Sequence, residues 1–538
     1  MNKLNTKILP LGMAFAGMFP LVQTTAAGKI QAKRPNVVFI LADDLGWSDL
    51  ACYGSRFYET PRIDQLAKEG VRFSNAYAAC HVCSPTRASI LTGQYPARLG
   101  LTDWLPGRKN FPFQKLKNVA SVQRLPYGEN TTFPAVMQAN GYKTAIIGKW
   151  HLGEDSASCE RQGFDLHIPS GWMKGWPAKG YFSPYRMPGL KDGPEGEYLT
   201  DRMTDEAIRF ITENKDCPFL LYLSHYAVHD PIQGRPDLVK KYQQKLKQMP
   251  SWEGVPYILE GNPDSGNPLS KEELSALLQE KPYEGFSVLP NRTVKIKQNQ
   301  DNVQFAAMIE SLDESVGRVL DKLKELGLED NTIIIFFSDN GGMSAANFGN
   351  PTRVVQADAL DKSFSTSNLP LRAGKGWLYE GGIRVPMIVK WPQKGNTGAE
   401  SNVPVISADF YPTILDILGL SSGKHVTDGI SLVPLLKKQD TAPEEILYRP
   451  IFWHFPHYSN HGMQSPGGAV RYGDYKLIEY FENNTVQLFN LSSDPGEQAD
   501  LSQIQPEKTK ELRKILHQWR KEINAQTMEP NPEYIPAK

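Results

Sequence analysis

Four short apolar runs, each breaking off abruptly into polar residues, limit this chain to very few folds: Asn36–Ala42, residues 141–147, Phe219–Ser224 and residues 332–337. Runs of this length without strict alternation read as strands buried on both faces, the kind that build parallel α/β sheets. They give way in turn to Asp43-Asp44, Gly148-Lys149-Trp150-His151-Leu152-Gly153, His225 through His229, and Ser338-Asp339-Asn340-Gly341-Gly342. Open α/β sheets hold their ligands at the carboxyl ends of strands, so these polar groups stand where a site belongs. Between residues 303 and 326, Phe305, Ile309, Leu312, Val316, Leu320 and Leu323 recur at helical spacing and predict a packing helix. Thr60-Pro61 predicts a helix start with Thr60 as its cap.

The 538 residues exceed one ordinary core. The pattern predicts a large α/β domain over 28–420, its mixed, mostly parallel sheet sandwiched by helices. Beyond it a small C-terminal subdomain is expected over 421–538, with antiparallel strands near 475–481 and 485–489 and a helix over 508–523. Segment 235–298 gives no readable fold. In residues 1–27, Lys3 and Lys7 precede an apolar run and Thr25-Ala26-Ala27, which reads as a cleavable signal peptide of an exported, periplasmic or secreted protein without a membrane anchor. Lysine plus arginine equals aspartate plus glutamate, 59 each, so no global field favours nucleic acid. Any preference for anions is local.

The segment Cys83-Ser84-Pro85-Thr86-Arg87, closed by Thr92-Gly93, places a reactive side chain at a predicted helix start with a guanidinium one turn on. Helix N-termini and arginine both favour a tetrahedral oxyanion. Cys80 and Cys83 also form a C-x-x-C pair, but no second cysteine pair or histidine cluster completes a zinc site. Asp43, Asp44, Asp339 and Asn340 offer hard oxygen ligands of the kind that suit Ca²⁺ or Mg²⁺.

The pattern C-x-P-x-R followed by T-G, the Gly-Lys-Trp-His-Leu-Gly segment and the stretch from Leu371 through Lys375 to Arg384 together resemble the formylglycine-dependent type I sulfatases of the alkaline phosphatase superfamily. The resemblance covers nearly all of the chain after residue 27. It implies that a maturation enzyme oxidises Cys83 to a Cα-formylglycine whose hydrate is the nucleophile. It further implies Ca²⁺ held by Asp43, Asp44, Asp339 and Asn340, with the residue at position 83 completing the shell. Arg87, Lys149, His229 and Lys375 would surround the sulfate, His229 protonating the leaving alcohol and His151 bonding the hydrate. His225 is assigned to the scaffold and Arg384 to bracing its loop.

Loop segments carry Trp104, Arg108, Trp172, Lys174 and Trp176, and the C-terminal part carries His454 and His457. Aromatic faces beside basic groups suit sugar rings, which predicts a sulfated carbohydrate as substrate, with galactose or N-acetylgalactosamine implied by the resemblance. Two rival readings stay open here: a phosphodiesterase or phosphonate monoester hydrolase of the same superfamily, and a non-catalytic protein that binds sulfated glycans. The sequence leaves the oligomeric state unread.

Overall fold

A computed structural model describes residues 34–126, 128, 131–153, 158–170, 174–261, 294–345, 364–437, 443–461 and 464–536. The expected leader, Trp172 and half of the unreadable 235–298 segment lie outside the described residues. What is described of that segment is a helix, Pro236–Gln248, and the strand Tyr257–Glu260 paired antiparallel with Val294–Lys297.

The central sheet comprises β1 (Asn36–Ala42), β2 (Val71–Phe73), β3 (Lys143–Gly148), β4 (Leu166–Ile168), β5 (Phe219–Ser224), β6 (Thr332–Ser338), β7 (Met387–Lys390) and β8 (Ala399–Ser401). Their order is β8-β2-β7-β6-β1-β5-β3-β4. The run β6-β1-β5-β3-β4 is parallel, whereas β7 lies antiparallel to both its neighbours. Register puts Ala42 beside Ser338, Leu41 beside Ser224 and Gly148 beside Ser224. The polar residues that succeed β1, β3, β5 and β6 therefore emerge at one edge, at nearly one level.

Both faces of the sheet are buried, which is why the strand sequences do not alternate. Val38 and Ile40 face one core with α2 (Leu199–Glu213) and α3 (Val303–Glu325), through Met203, Phe210, Phe305, Ile309 and Leu312. Val37, Phe39 and Leu41 face the other, with α1 (Cys83–Thr92) and α4 (Phe410–Leu418), through Ile90, Leu91, Ile414 and Leu415. Asn302 caps α3, its Oδ1 accepting the Gln304 and Phe305 N–H groups at 3.0 and 3.1 Å. Thr60 does not cap its helix in this way: its hydroxyl donates to Asp64 Oδ1, and the Arg62 and Ile63 N–H groups go to Asp313 of α3.

A second sheet runs β9 (Ile451–Phe455), β10 (Gly467–Tyr472), β11 (Tyr475–Tyr480) and β12 (Thr485–Asn490), antiparallel throughout. Helix α5 (Pro506–Glu522) covers it with Leu512, Leu516 and Trp519, and Trp519 stacks on Phe452 with ring centroids 4.6 Å apart. Trp377 and Tyr379 belong to the same core. Lys476 of β11 is fully buried, 3.0 Å from Glu380 Oε1 and 2.8 Å from Glu497 Oε1. The segment that carries Lys375 is thus tied to the small sheet by both apolar packing and a buried ion triad.

Candidate active site

Helix α1 begins at Cys83, and all ten of its residues are buried, so it lies inside the protein rather than on it. Gly93 ends it at φ 70°, donating to Ser89 O, where a Cβ would sit 2.9 Å from Tyr411 and Thr427 atoms. Gly148 has the same kind of necessity: at φ 109° a Cβ there would fall 1.8 Å from the Ser224 carbonyl oxygen. That close approach lets the Lys149 N–H donate to Ser224 O at 2.7 Å and turns Lys149 and His151 toward the sheet edge. Asp44 and His151 both hold positive φ, 61° and 55°, a sparsely populated region that surrounding structure must enforce.

The charges interlock. Arg87 donates from Nε to Asp339 Oδ2 at 2.8 Å and from one terminal nitrogen to Ser224 Oγ at 2.6 Å, while its other terminal nitrogen lies 2.7 Å from Asp339 Oδ2 and 3.7 Å from Asp43 Oδ1. Lys149 Nζ pairs with Asp43 Oδ2 at 2.7 Å. Lys375 Nζ lies 2.7 Å from each carboxylate oxygen of Asp44, and Asn340 Nδ2 donates to Asp44 Oδ1 at 2.8 Å. His229 Nε2 stands 3.7 Å from Asp44 Oδ2, and its Nδ1 stands 2.8 Å from Asp230 Oδ1.

Of the three carboxylates packed here, only Asp43 is pushed upward by its surroundings. Burial first and the Asp339 charge second push Asp43 up to about 8, against the pull of Lys149. Burial also acts to raise Asp44 and Asp339, but Lys375 holds the first and Arg87 the second below the usual carboxylate range. Among the described residues, Asp43 Oδ1 and Asn340 Oδ1 are buried acceptors with no hydrogen-bond donor. One ligand atom each from Asp43, Asp44 and His229 lies within 4.8 Å of the others. Orphaned oxygens among crowded carboxylates fit a hard divalent cation.

Beside this cluster, His151 Nε2 is 2.7 Å from Leu105 O and must donate to it, so Nδ1, 3.2 Å from Cys83 Sγ, is the acceptor. Burial, then the Lys149 ammonium, holds this imidazole well below its ordinary pKa and so neutral. His229 is the opposite case. Burial and Lys375 push it down, yet Asp44, Asp230 and Asp43 outweigh them and raise it to about 9.

A cavity of about 170 Å³ opens over Cys83, with His151, His229 and Lys375 at its base and Trp104 and Trp176 among its walls. Asp230, Asn460 and His461 complete its polar lining, and no sequence signal had marked them. Other expected sugar contacts are not brought there. His454 is buried on β9 with Nε2 2.8 Å from Gln526 O, and His457 is buried with Nε2 2.8 Å from Thr102 Oγ1. Arg108 donates to Ser459 O at 2.5 Å, bracing a loop rather than lining the cavity, and Lys174 is exposed outside it. His225 stands 3.2 Å from Ser315 Oγ of α3, and Arg384 donates to Ser74 O at 2.7 Å. A larger cleft, about 910 Å³, lies among Arg56, Trp252, Tyr257 and Lys297 and contains none of these site residues.

A buried acid cluster at strand ends, ringed by cations and opening at a helix-start cysteine, defines a hydrolase of esters of tetrahedral oxyanions. The sulfatase family model matches residues 35–420, and the model for the C-terminal part of N-sulphoglucosamine sulphohydrolase matches residues 373–526. Arylsulfatase G of Canis lupus familiaris is 31% identical, the match covering 89% of this chain and 81% of that protein. N-acetylglucosamine-6-O-sulfatase of Bacteroides thetaiotaomicron is 26% identical over 96% of this chain and 91% of its own. A solved structure of BT4656 in complex with its substrate D-glucosamine-2-N,6-O-disulfate superimposes with a TM-score of 0.65 at 24% identity, covering 91% of this chain and 98% of that one, and shows the shared fold. The chain belongs to the sulfatase family and is a sulfuric ester hydrolase. Among the described residues no helix is long and apolar enough to cross a membrane.

Proposed function

We propose that this enzyme is an exported carbohydrate sulfatase that removes sulfate from a terminal sugar, with an N-acetylhexosamine preferred over plain galactose. The observation that carries the reading is the placement of a ring-sized cavity with two tryptophan walls directly over Cys83 and Lys375. The relative named N-acetylglucosamine-6-O-sulfatase supports the amino sugar. A phosphoryl-transfer enzyme and a non-catalytic binder, the two other readings the sequence left open, are disfavoured by membership of the sulfatase family.

In this reading Asp43, Asp44, Asp339 and Asn340 hold Ca²⁺, and Cys83 is matured to formylglycine. Together these groups would polarise the sulfate and supply a nucleophile able to release it again. The chain's own residues do the rest. Lys375 and Lys149 offset charge on the sulfate oxygens, and Arg87 fixes Asp339 while adding positive field from beneath. His151 presents the Nδ1 lone pair to the side chain at position 83 and accepts its proton. His229, charged at neutral pH and open to the cavity, donates a proton to the departing sugar oxygen.

The test is a panel of mono- and oligosaccharides sulfated at single defined positions, assayed beside nitrophenyl sulfate. One sugar and one position should dominate. Cleavage of the aryl ester far faster than every sugar ester rules the carbohydrate reading out.

A further inference from the structure

The sulfate end of the cavity is chemically accounted for, since Cys83, His151, His229 and Lys375 all have partners at its base. The opposite side is not. His461 is 6% exposed, and among the described residues neither of its ring nitrogens has a hydrogen-bond partner; Asn460 is 4% exposed, and its Oδ1 has none there either. Folded proteins seldom leave buried polar atoms unpaired, because each forfeits its hydration without replacement. Three such atoms on two consecutive residues that line one cavity point to a ligand that completes them.

Their position relative to the sulfate site is fixed by backbone, not by mobile side chains. Gly376, next to Lys375, holds φ 89° and passes so close beneath the His461 carbonyl that a Cβ there would lie 2.2 Å from its oxygen. Ser459 Oγ donates to His461 O at 2.7 Å and accepts the His461 N–H at 3.2 Å, while Arg108 braces Ser459 O. The distance between the Lys375 loop and the His461 loop is thus set by contact, as a ruler between two recognition points requires.

The chemistry of the pair restricts what it binds. Burial, then the Lys375 ammonium, keeps His461 well below its ordinary pKa, so the ring is neutral and offers one N–H donor and one lone pair. Asn460 Oδ1 offers an acceptor. Among the described lining residues no cation is left over for a second anion, since Lys375 is engaged by Asp44 and His229 by Asp230, and Asp230 itself is negative. The volume, about 170 Å³, is below the roughly 300–1,000 Å³ of pockets for larger ligands.

We infer that Asn460 and His461 are the specificity-determining residues of a one-ring sugar subsite, reading hydroxyl or amide groups of a terminal ring that carries no charge besides the sulfate being removed. The inference rests on the carbohydrate-sulfatase reading. It also gives the C-terminal sheet a task, because both residues lie on the loop that leaves β9.

The experiment compares the preferred sugar sulfate with its monodeoxy analogues, and with the same ring bearing a second sulfate, in wild type, His461→Ala and Asn460→Ala. In wild type, deletion of one hydroxyl should lower kcat/KM about 100-fold or more, because the site's buried atoms lose their partner. In His461→Ala the parent should lose a comparable factor, and the deoxy analogue should then be turned over no worse than the parent. The doubly sulfated ring should be the poorer wild-type substrate. Equal penalties for every deoxy analogue in wild type and in both variants overturn the assignment, as does preference for the doubly sulfated ring. Should His461→Ala fail to fold by thermal melt, His461→Gln supplies the same comparison. If wild type hydrolyses nitrophenyl sulfate but no sugar sulfate, the carbohydrate reading itself falls and takes the subsite with it.

Discussion

Lys375 Nζ sits 2.7 Å from both carboxylate oxygens of Asp44, so one ammonium occupies the acid that a bound cation also needs. Under the proposed mechanism the pair makes Lys375 a sulfate ligand and a competitor of the metal at once. Lys375→Ala should lower kcat/KM for any sulfate ester by about 10²–10³-fold while leaving metal content, by elemental analysis, undiminished. Asp44→Asn should lose both. Metal loss in Lys375→Ala would show that the lysine orders the cluster rather than competing within it.

Removal of the divalent cation should abolish activity and lower the melting temperature together, because burial and the Asp339 charge make the ionised form of Asp43 costly without it. Calcium re-addition should restore both, and Asp339→Ala should resist rescue. Unchanged melting after chelation, with metal loss verified, counts against a site built from these residues.

Cys83→Ser, produced in a host that matures only cysteine, should be folded and inactive, because serine provides no hydrate. Peptide mass spectrometry of the active wild type should show the residue at position 83 lighter than cysteine by the thiol-to-aldehyde change. Near-normal turnover by the serine variant removes Cys83 from the mechanism.

The raised pKa of His229 gives a pH test. Its acid form is present below about 9 and is lost as pH rises through that value, so kcat for a sugar sulfate should fall on the basic side. A bound cation that neutralises Asp44 draws the limb lower. Nitrophenolate leaves without a proton, and its profile should lack the limb. His229→Ala should cost the sugar ester about 10²–10⁴-fold and the aryl ester far less; equal losses would falsify the acid role.

Lys476→Met leaves Glu380 and Glu497 buried beside each other without their shared cation. Breaking a buried ion group from one side costs about 3–5 kcal/mol, measurable by urea unfolding. A cost near that of an ordinary surface substitution would mean that the two carboxylates are protonated in the native state.

The strands and the polar segments that converge at their ends were legible because each is a local signal. Asn36–Ala42 and Thr332–Ser338 carry their burial in their own letters, and Asp43 and Asp339 come directly after them. The mixed sheet and the small antiparallel one also match what the sequence implied. The lining of the cavity was less legible for a physical reason. His454 and His457 stand in an aromatic stretch, but strand pairing and the Thr102 contact turn them inward. Asn460 and His461, a few residues on, reach the cavity only because the loop folds back against Gly376. No local pattern encodes that return; a glycine directly after Lys375 was its one trace.

Cys83 is 3% exposed, at the first turn of a helix sealed between the sheet and the C-terminal loops. An agent large enough to recognise the surrounding sequence cannot reach that thiol once the helix has packed. Under the proposed formylglycine chemistry, the competence of each molecule is then settled by the order of two events, conversion first and folding second. On that chemistry a chain that folds too early would be correctly built yet silent, and only unfolding would reopen the thiol to conversion.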